Sequence, residues 1–228
     1  MKKPKFYTEV AYVIGLLLLA LGTAMTAYGD LGISMVVAPA YILHLYLSPI
    51  IPFFSFGIAE YALQAIVLLI TALILRKIKL AYLLSFCATV LYGIALDGAM
   101  TLISYMPQSL VLQIIMYILG VIVCSAAIAL LFYSYLPPEA YELFVKEISL
   151  KFKKPLHKIK TIYDIGSLAL SIVMSLIFFG TLKGIGVGTV VCAFIYGFII
   201  RLFQALYAKL FTLEDKFKWR SFFEKTDN

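Results

Sequence analysis

The chain has 228 residues, of which 63% are hydrophobic and only 14% charged, with a formal net charge of +7. A water-facing fold of this size could not hide so much apolar surface, so soluble globular and disordered classes are excluded. The basic excess flanks apolar spans, which marks membrane topology and attraction to anionic headgroups rather than a nucleic-acid partner.

Six apolar spans follow one another at roughly 8 to 29, 54 to 75, 80 to 103, 109 to 135, 161 to 181 and 186 to 208, each near the twenty or so residues a bilayer demands. The first imitates a secretory signal, with Lys2, Lys3 and Lys5 ahead of an apolar core from Ala11 to Leu21 and small residues at Ala24 and Ala27. The further spans behind it make it an uncleaved anchor helix. Between the first and second spans, Gly32 to Phe53 is too apolar for a solvated loop. A full crossing there would put every later basic loop on the wrong side. A half-helix over about 33 to 47, closed by Ser48, Pro49 and Pro52, fits better.

After the fourth span, Pro138 opens a helix over about 138 to 152, with Glu139 and Glu142 in its first turn. Its apolar stripe is Tyr141, Phe144, Val145, Ile148 and Phe152, which suits an interfacial cytoplasmic helix or a mobile gate. The basic stretch from Lys151 to Lys160 faces lipid headgroups in this reading.

Lysine and arginine alternate by side: three before the first span, none to Phe53, three from Arg76 to Lys79, none around Met106, six from Lys146 to Lys160, one at Lys183 and six from Arg201 onward. Summed by side this is 18 against 1, which puts both termini in the cytoplasm of a multi-pass plasma-membrane protein.

The second half repeats the first. At an offset of 105, Tyr12, Gly15, Ala24, Tyr28 and Leu31 fall on Tyr117, Gly120, Ala129, Tyr133 and Leu136. At 104, Ile58, Glu60, Ala65, Lys79, Tyr92, Gly93 and Asp97 fall on Ile162, Asp164, Ala169, Lys183, Tyr196, Gly197 and Arg201. Three crossings per copy make the second copy inverted, a frequent device in transporters. A rival tandem register, Tyr12, Ile14 and Gly15 on Tyr163, Ile165 and Gly166, needs a slip and covers less chain. The expected fold class is therefore an all-α membrane protein of six transmembrane helices in two inverted three-helix repeats, each with an extra half-helix. Repeat 1 covers 1 to 107, repeat 2 covers 108 to 210, and 211 to 228 form a cytoplasmic tail.

Candidate site residues are polar groups that hydrocarbon penalises. Glu60 and Asp97 each lie about six residues from the outer ends of their spans, roughly 9 Å deep at 1.5 Å per residue. They are expected to share an outer cation or proton site, with Asp30 at the same face and Lys183 the only nearby base. Their inverted equivalents, Asp164 and Arg201, are expected to pair near the inner face, with Tyr92 and Tyr196 near the midplane. Tyr92-Gly93 and Tyr196-Gly197 suit close helix crossings.

Gly184, Gly186, Gly188 and Thr189 resemble a phosphate loop in spacing only, since no strand precedes them and no lysine follows. A tight turn is expected there, leaving free N–H groups at the start of the sixth span that could receive an anionic group. Cys87, Cys124 and Cys192 lack metal-ligand spacing, and His44 and His157 are isolated. No nucleophile, metal or acid/base constellation points to an enzyme, and no cofactor is implied.

Pro137-Pro138-Glu139, Tyr163-Asp164, the Gly184 to Thr189 stretch and Leu91 to Asp97 together resemble the YczE/YyaS/YitT group of bacterial integral membrane proteins. Gly32-Ile33-Ser34-Met35 departs from the Gly-Pro and acid frequent in that group, and the soluble domain of the YitT branch is missing, which favours a YczE-like branch. The resemblance implies a fold and a compartment but little activity.

The expected function is a secondary transporter or permease for a small solute, proton- or cation-coupled through these acids. Its partners would be the lipid bilayer, a small solute or cation, and in one arrangement a second copy sharing the pathway. The alternative is a non-transporting scaffold that presents the 138 to 152 helix and basic loop to a cytoplasmic partner.

Overall fold

The computed structural model describes residues 4 to 215, without the side chains of Leu156, His157 and Ala193. Lys2, Lys3, the imidazole of His157 and the expected tail beyond 215 lie outside the described residues. The described chain is all-α apart from two three-residue strands: β1 (Lys5–Tyr7), α1 (Thr8–Gly29), α2 (Ala38–Leu47), α3 (Phe56–Leu75), α4 (Leu80–Ser104), α5 (Leu110–Tyr133), α6 (Ala140–Phe152), α7 (Leu156–Phe179), α8 (Val187–Leu210) and β2 (Thr212–Glu214). Among the described residues five helices, α1, α3, α4, α5 and α7, are long and apolar enough to cross a membrane, so the protein is a multi-pass membrane protein. α8 has comparable length at 24 residues.

α1 and α5 form the central pair, and small residues explain how closely they approach. A Cβ on Gly22 would lie 2.6 Å from Cys124 Sγ and 2.8 Å from Cys124 N, and one on Gly120 would lie 2.8 Å from Gly22 O. Without a hydrophobic drive between helices in lipid, such close backbone packing is a main source of association. α4 packs on α1, α8 packs on α5, and α3 packs on α4. At this last crossing Gly93 leaves room for the Tyr61 ring, and Gly57 approaches Gly93 O. Gly197, expected to mark a matching crossing, has nothing within 4 Å of where a Cβ would stand, because α7 packs on α2 and α6 and not closely on α8.

The two short helices are inserted into the bundle. α2 starts at Ala38 rather than 33, since Ser34 to Val37 form a turn in which Ser34 O accepts from Val37 N and Ala38 N. It runs beside α7: Ser167 Oγ donates to Met35 O at 2.8 Å, and Tyr46 stacks on Phe178 at 4.3 Å between ring centroids. α6 runs beside α3 in the same sense, with Tyr141 meeting Glu60 near one end and Lys151 donating to Ile74 O near the other.

α6 therefore buries one face against the bundle. Tyr141, Leu143, Val145, Glu147 and Ile148 are buried against α3, α4 and α7. Lys79, at the turn between α3 and α4, holds both carboxylate oxygens of Glu147 at 2.8 and 2.9 Å. Of the expected apolar stripe, Phe144 packs on Tyr163 at 5.4 Å between ring centroids and Phe152 stays exposed. β1 and β2 pair in parallel, Lys5 opposite Thr212, which brings the start of α1 and the end of α8 to the same end of the molecule.

Candidate functional site

Where the chain breaks its long helices, a cavity of about 270 Å³ opens. The turn from Ile33 to Val37 ahead of α2 and the residues Pro138 and Glu139 ahead of α6 both line it. α1, α4, α5, α6, α7 and α8 supply the remaining walls, including Thr23, Tyr92, Cys124, Glu142, Asp164 and Tyr196. Both short helices thus present their N-terminal ends, the positive ends of their backbone dipoles, to one internal space.

A buried polar network anchors the start of α6. Gln64, near the middle of α3, donates from Nε2 to Glu60 Oε2 at 3.1 Å and to Glu139 Oε2 at 3.4 Å. Its Oε1 accepts from Thr89 Oγ1 at 2.5 Å and from Ala140 N at 3.1 Å. Tyr141 donates its hydroxyl to Glu60 Oε2 at 3.1 Å. Ser85 Oγ donates to Pro138 O and Tyr12 OH donates to Pro137 O, so the carbonyls that open α6 are held from α4 and α1.

Glu60 is fully buried and Glu139 is 8% exposed, yet Oε1 of each has no hydrogen-bond partner among the described residues. Neither carboxylate forms an ion pair among them. Two close acids in an apolar interior require a proton or a cation for balance.

The expected pair of Glu60 and Asp97 does not form. Asp97 accepts from Ser55 Oγ at 2.6 Å and from Gly57 N at 2.7 Å, so it caps α3. A carboxylate is drawn there because the first N–H groups of a helix lack internal partners. Glu60, three residues further on, turns to α6 instead. Asp30 is exposed at the left-handed end of α1, and Lys183 lies over the Phe179 ring at 4.8 Å.

The expected pair of Asp164 and Arg201 does not form either. Asp164 lies 3.4 Å from Lys160, one turn earlier on α7, and Lys160 also bridges to Glu142 on α6. Arg201 is exposed on α8, which the looser packing between α7 and α8 leaves out of reach. Tyr92 and Tyr196 both line the cavity, with Tyr92 donating to Thr23 Oγ1 at 3.1 Å and Tyr196 packed against the cluster of Tyr117, Val121 and Cys192.

The glycine stretch makes a backbone contact rather than an open anion cradle. Gly188 N donates to Leu31 O at 2.8 Å, Thr189 N to Gly186 O at 3.0 Å, and Ile33 N to Gly184 O at 3.1 Å. A Cβ on Gly186 would fall on Leu31 O, and one on Gly188 on the Tyr117 hydroxyl. Of the N–H groups expected to be free, that of Gly188 is spent on the chain that leaves α1, and those of Gly186 and Thr189 are spent within the stretch itself. His44 is equally structural, its Nδ1 3.2 Å from Phe54 O and its ring stacked on Phe56.

Gln64, Tyr141, Lys160 and the role of Glu139 do not stand out in the sequence. The one available signal is Gln64 itself, an amide one helical turn after Glu60 in a largely apolar span.

No curated protein and no solved structure is detectably similar to the chain. A family pattern, described as a family of unknown function, covers residues 6–205. The chain therefore belongs to the family of unknown function DUF6198.

Proposed function

We propose that the protein is a secondary transporter or permease for a small solute, proton- or cation-coupled, built from two inverted repeats of three crossings and one half-helix each. The observation that carries this reading is the cavity into which both half-helices open, with buried Glu139 in its lining and buried Glu60 behind it across Gln64, both without a base among the described residues. Interrupted helices that meet at mid-depth are the recurrent way transporters build a site from backbone and side chains together.

Packing supports the repeat. Exchanging α1 with α5, α2 with α6, α3 with α7 and α4 with α8 turns the α1 and α4 contact into that of α5 and α8. The same exchange turns α2 on α3 into α6 on α7, and α2 on α7 into α6 on α3. The segments that lead into the two short helices each bond to a long helix of the other half. Met35 bonds to Ser167 on α7, and Ala140, its equivalent at offset 105, bonds to Gln64 on α3. With α8 as the sixth crossing, the lysine and arginine pattern and the pairing of β1 with β2 favour cytoplasmic termini in a plasma membrane.

In this reading the solute sits among Tyr92, Tyr196 and Asp164, and Glu60 with Glu139 forms the coupling site in place of Glu60 with Asp97. Arg201 and the Gly184 to Thr189 stretch hold no solute. Kinship with the YczE/YyaS/YitT group is proposed on the residues already named, and no enzymatic activity is proposed. The burial of α6 weighs against the scaffold alternative, which needs that helix free for a partner.

The test is thermal stability of the purified protein across a panel of small metabolites and cations. A ligand that binds only the folded state raises its stability. We expect at least one compound to raise the midpoint of wild type and of Asp97→Asn, and to lose its effect in Glu60→Gln and Glu139→Gln. Ligand responses that ignore both glutamate substitutions, or no response at all, would contradict the reading.

A further inference from the structure

The cavity carries more negative charge than its base can balance. Glu139, Glu142 and Asp164 line it, and Lys160 is the one lysine or arginine among its lining residues. Lys160 is already engaged by Glu142 and Asp164, which leaves Glu139 without a cation. Its Oε1 is buried and unpartnered, and Glu60 stands behind it across the Gln64 amide.

Resting on the solute-cavity reading above, we propose that the cavity takes a small organic monocation, its ammonium group displacing the coupling proton or cation at Glu139 and its carbon skeleton against Tyr92 and Tyr196. An anion is disfavoured although two helix starts face the space. The N–H of Ala140 is spent on Gln64, and three carboxylates stand nearby.

A bare metal ion is disfavoured because, among the described residues, no group of three or more His, Cys, Asp or Glu is placed to hold one. Aromatic faces beside a carboxylate suit an ammonium group instead, since the ring quadrupole attracts cations. A volume of about 270 Å³ lies at the small end of ligand pockets, which restricts the solute to a few carbon atoms or a single ring.

Benzylammonium, benzyl alcohol and benzoate share a shape and differ in charge, so they separate the alternatives. Thermal unfolding of the full chain in detergent is measured with each at constant ionic strength. Benzylammonium is expected to raise the midpoint with dose, benzyl alcohol to do so far less, and benzoate not at all. Glu139→Gln should lose the benzylammonium shift. Glu214→Gln, which removes the same charge from the exposed pair with Lys5, should keep it.

An equal shift by all three compounds, a shift by benzoate, or a shift retained in Glu139→Gln overturns the cation assignment and leaves a solute cavity standing. Silence from benzylammonium beside a hit by a neutral or anionic compound of the wider panel also overturns the assignment alone, whereas a hit there by another small organic monocation that Glu139→Gln removes supports it. Silence throughout overturns both readings. Where Glu139→Gln does not fold, the comparison of the three compounds on wild type decides.

Discussion

Gly120→Leu is expected to remove most of the folded protein, with Gly22→Leu nearly as severe. The two positions lie where α1 and α5 touch backbone to backbone, and a Cβ at 120 would meet Gly22 O, Thr26 Cγ2 and Thr26 N at 2.8 to 2.9 Å. Backbone atoms cannot swing aside as a side chain does, so the helices must separate. Overpacking costs about 1–3 kcal/mol where neighbours yield, and this site belongs at or above the upper end. The loss also spreads, because α4 and α8 pack on the outer faces of the same pair. Gly98→Leu is the control, since nothing lies within 4 Å of its Cβ position. The check is the midpoint of thermal unfolding in detergent: a large drop for 120 and 22, and little change for 98. Equal tolerance at all three would show that the α1 and α5 contact is not the bundle's core.

The second large effect falls on the network at Gln64. Gln64→Leu strips a donor from Glu60 and Glu139 and an acceptor from Thr89 and Ala140, all buried. Each buried polar group left unsatisfied costs about 1–3 kcal/mol, so a loss of about 3 kcal/mol or more is expected. The paired substitution Glu60→Gln with Glu139→Gln should do the opposite. It keeps oxygen acceptors for Gln64 and Tyr141 and removes two uncompensated charges, so the fold should be as stable as wild type or more so. Ligand response should nevertheless vanish. Stability retained with response lost would separate the functional role of these acids from their structural one. Stability lost in the double variant would make them structural.

Much of the fold was legible because bilayer thickness imposes a length and basic residues mark the ends. Arg76 to Lys79 and the stretch from Lys146 to Lys160 bracket α3, α4 and α7 closely enough to place the helices. Ser48, Pro49 and Pro52 similarly close the first short helix, and Pro138 opens the second. What depth along a span cannot convey is rotation about the helix axis and the packing of non-neighbours. Glu60 and Asp97 share a depth, yet one turns to α6 and the other closes the first turn of α3.

Asp164 found its base on its own helix at Lys160, while Arg201, its expected partner, sits on a helix that α7 scarcely meets. Glu139 read as ordinary helix-opening chemistry. Its deeper placement depends on α6 being inserted beside α3, which an apolar stripe of five residues does not distinguish from lying on a membrane surface. The contact of Leu31 to Ile33 with Gly184 to Gly188 was hidden for a related reason, since backbone pairing between distant loops leaves no side-chain pattern.

The proposed transport requires the cavity between the two short helices to open in turn to both sides of the membrane. Ile128 on α5 lines the cavity and is half-buried. With Cys87, Cys124 and Cys192 replaced by alanine, Ile128→Cys can be reconstituted in vesicles and treated with a small membrane-impermeant thiol reagent from one side at a time. Modification is predicted from either side, slowed by a solute that raises the protein's thermal stability. Modification from neither side, or from one side only whatever the solute, would contradict transport through this cavity.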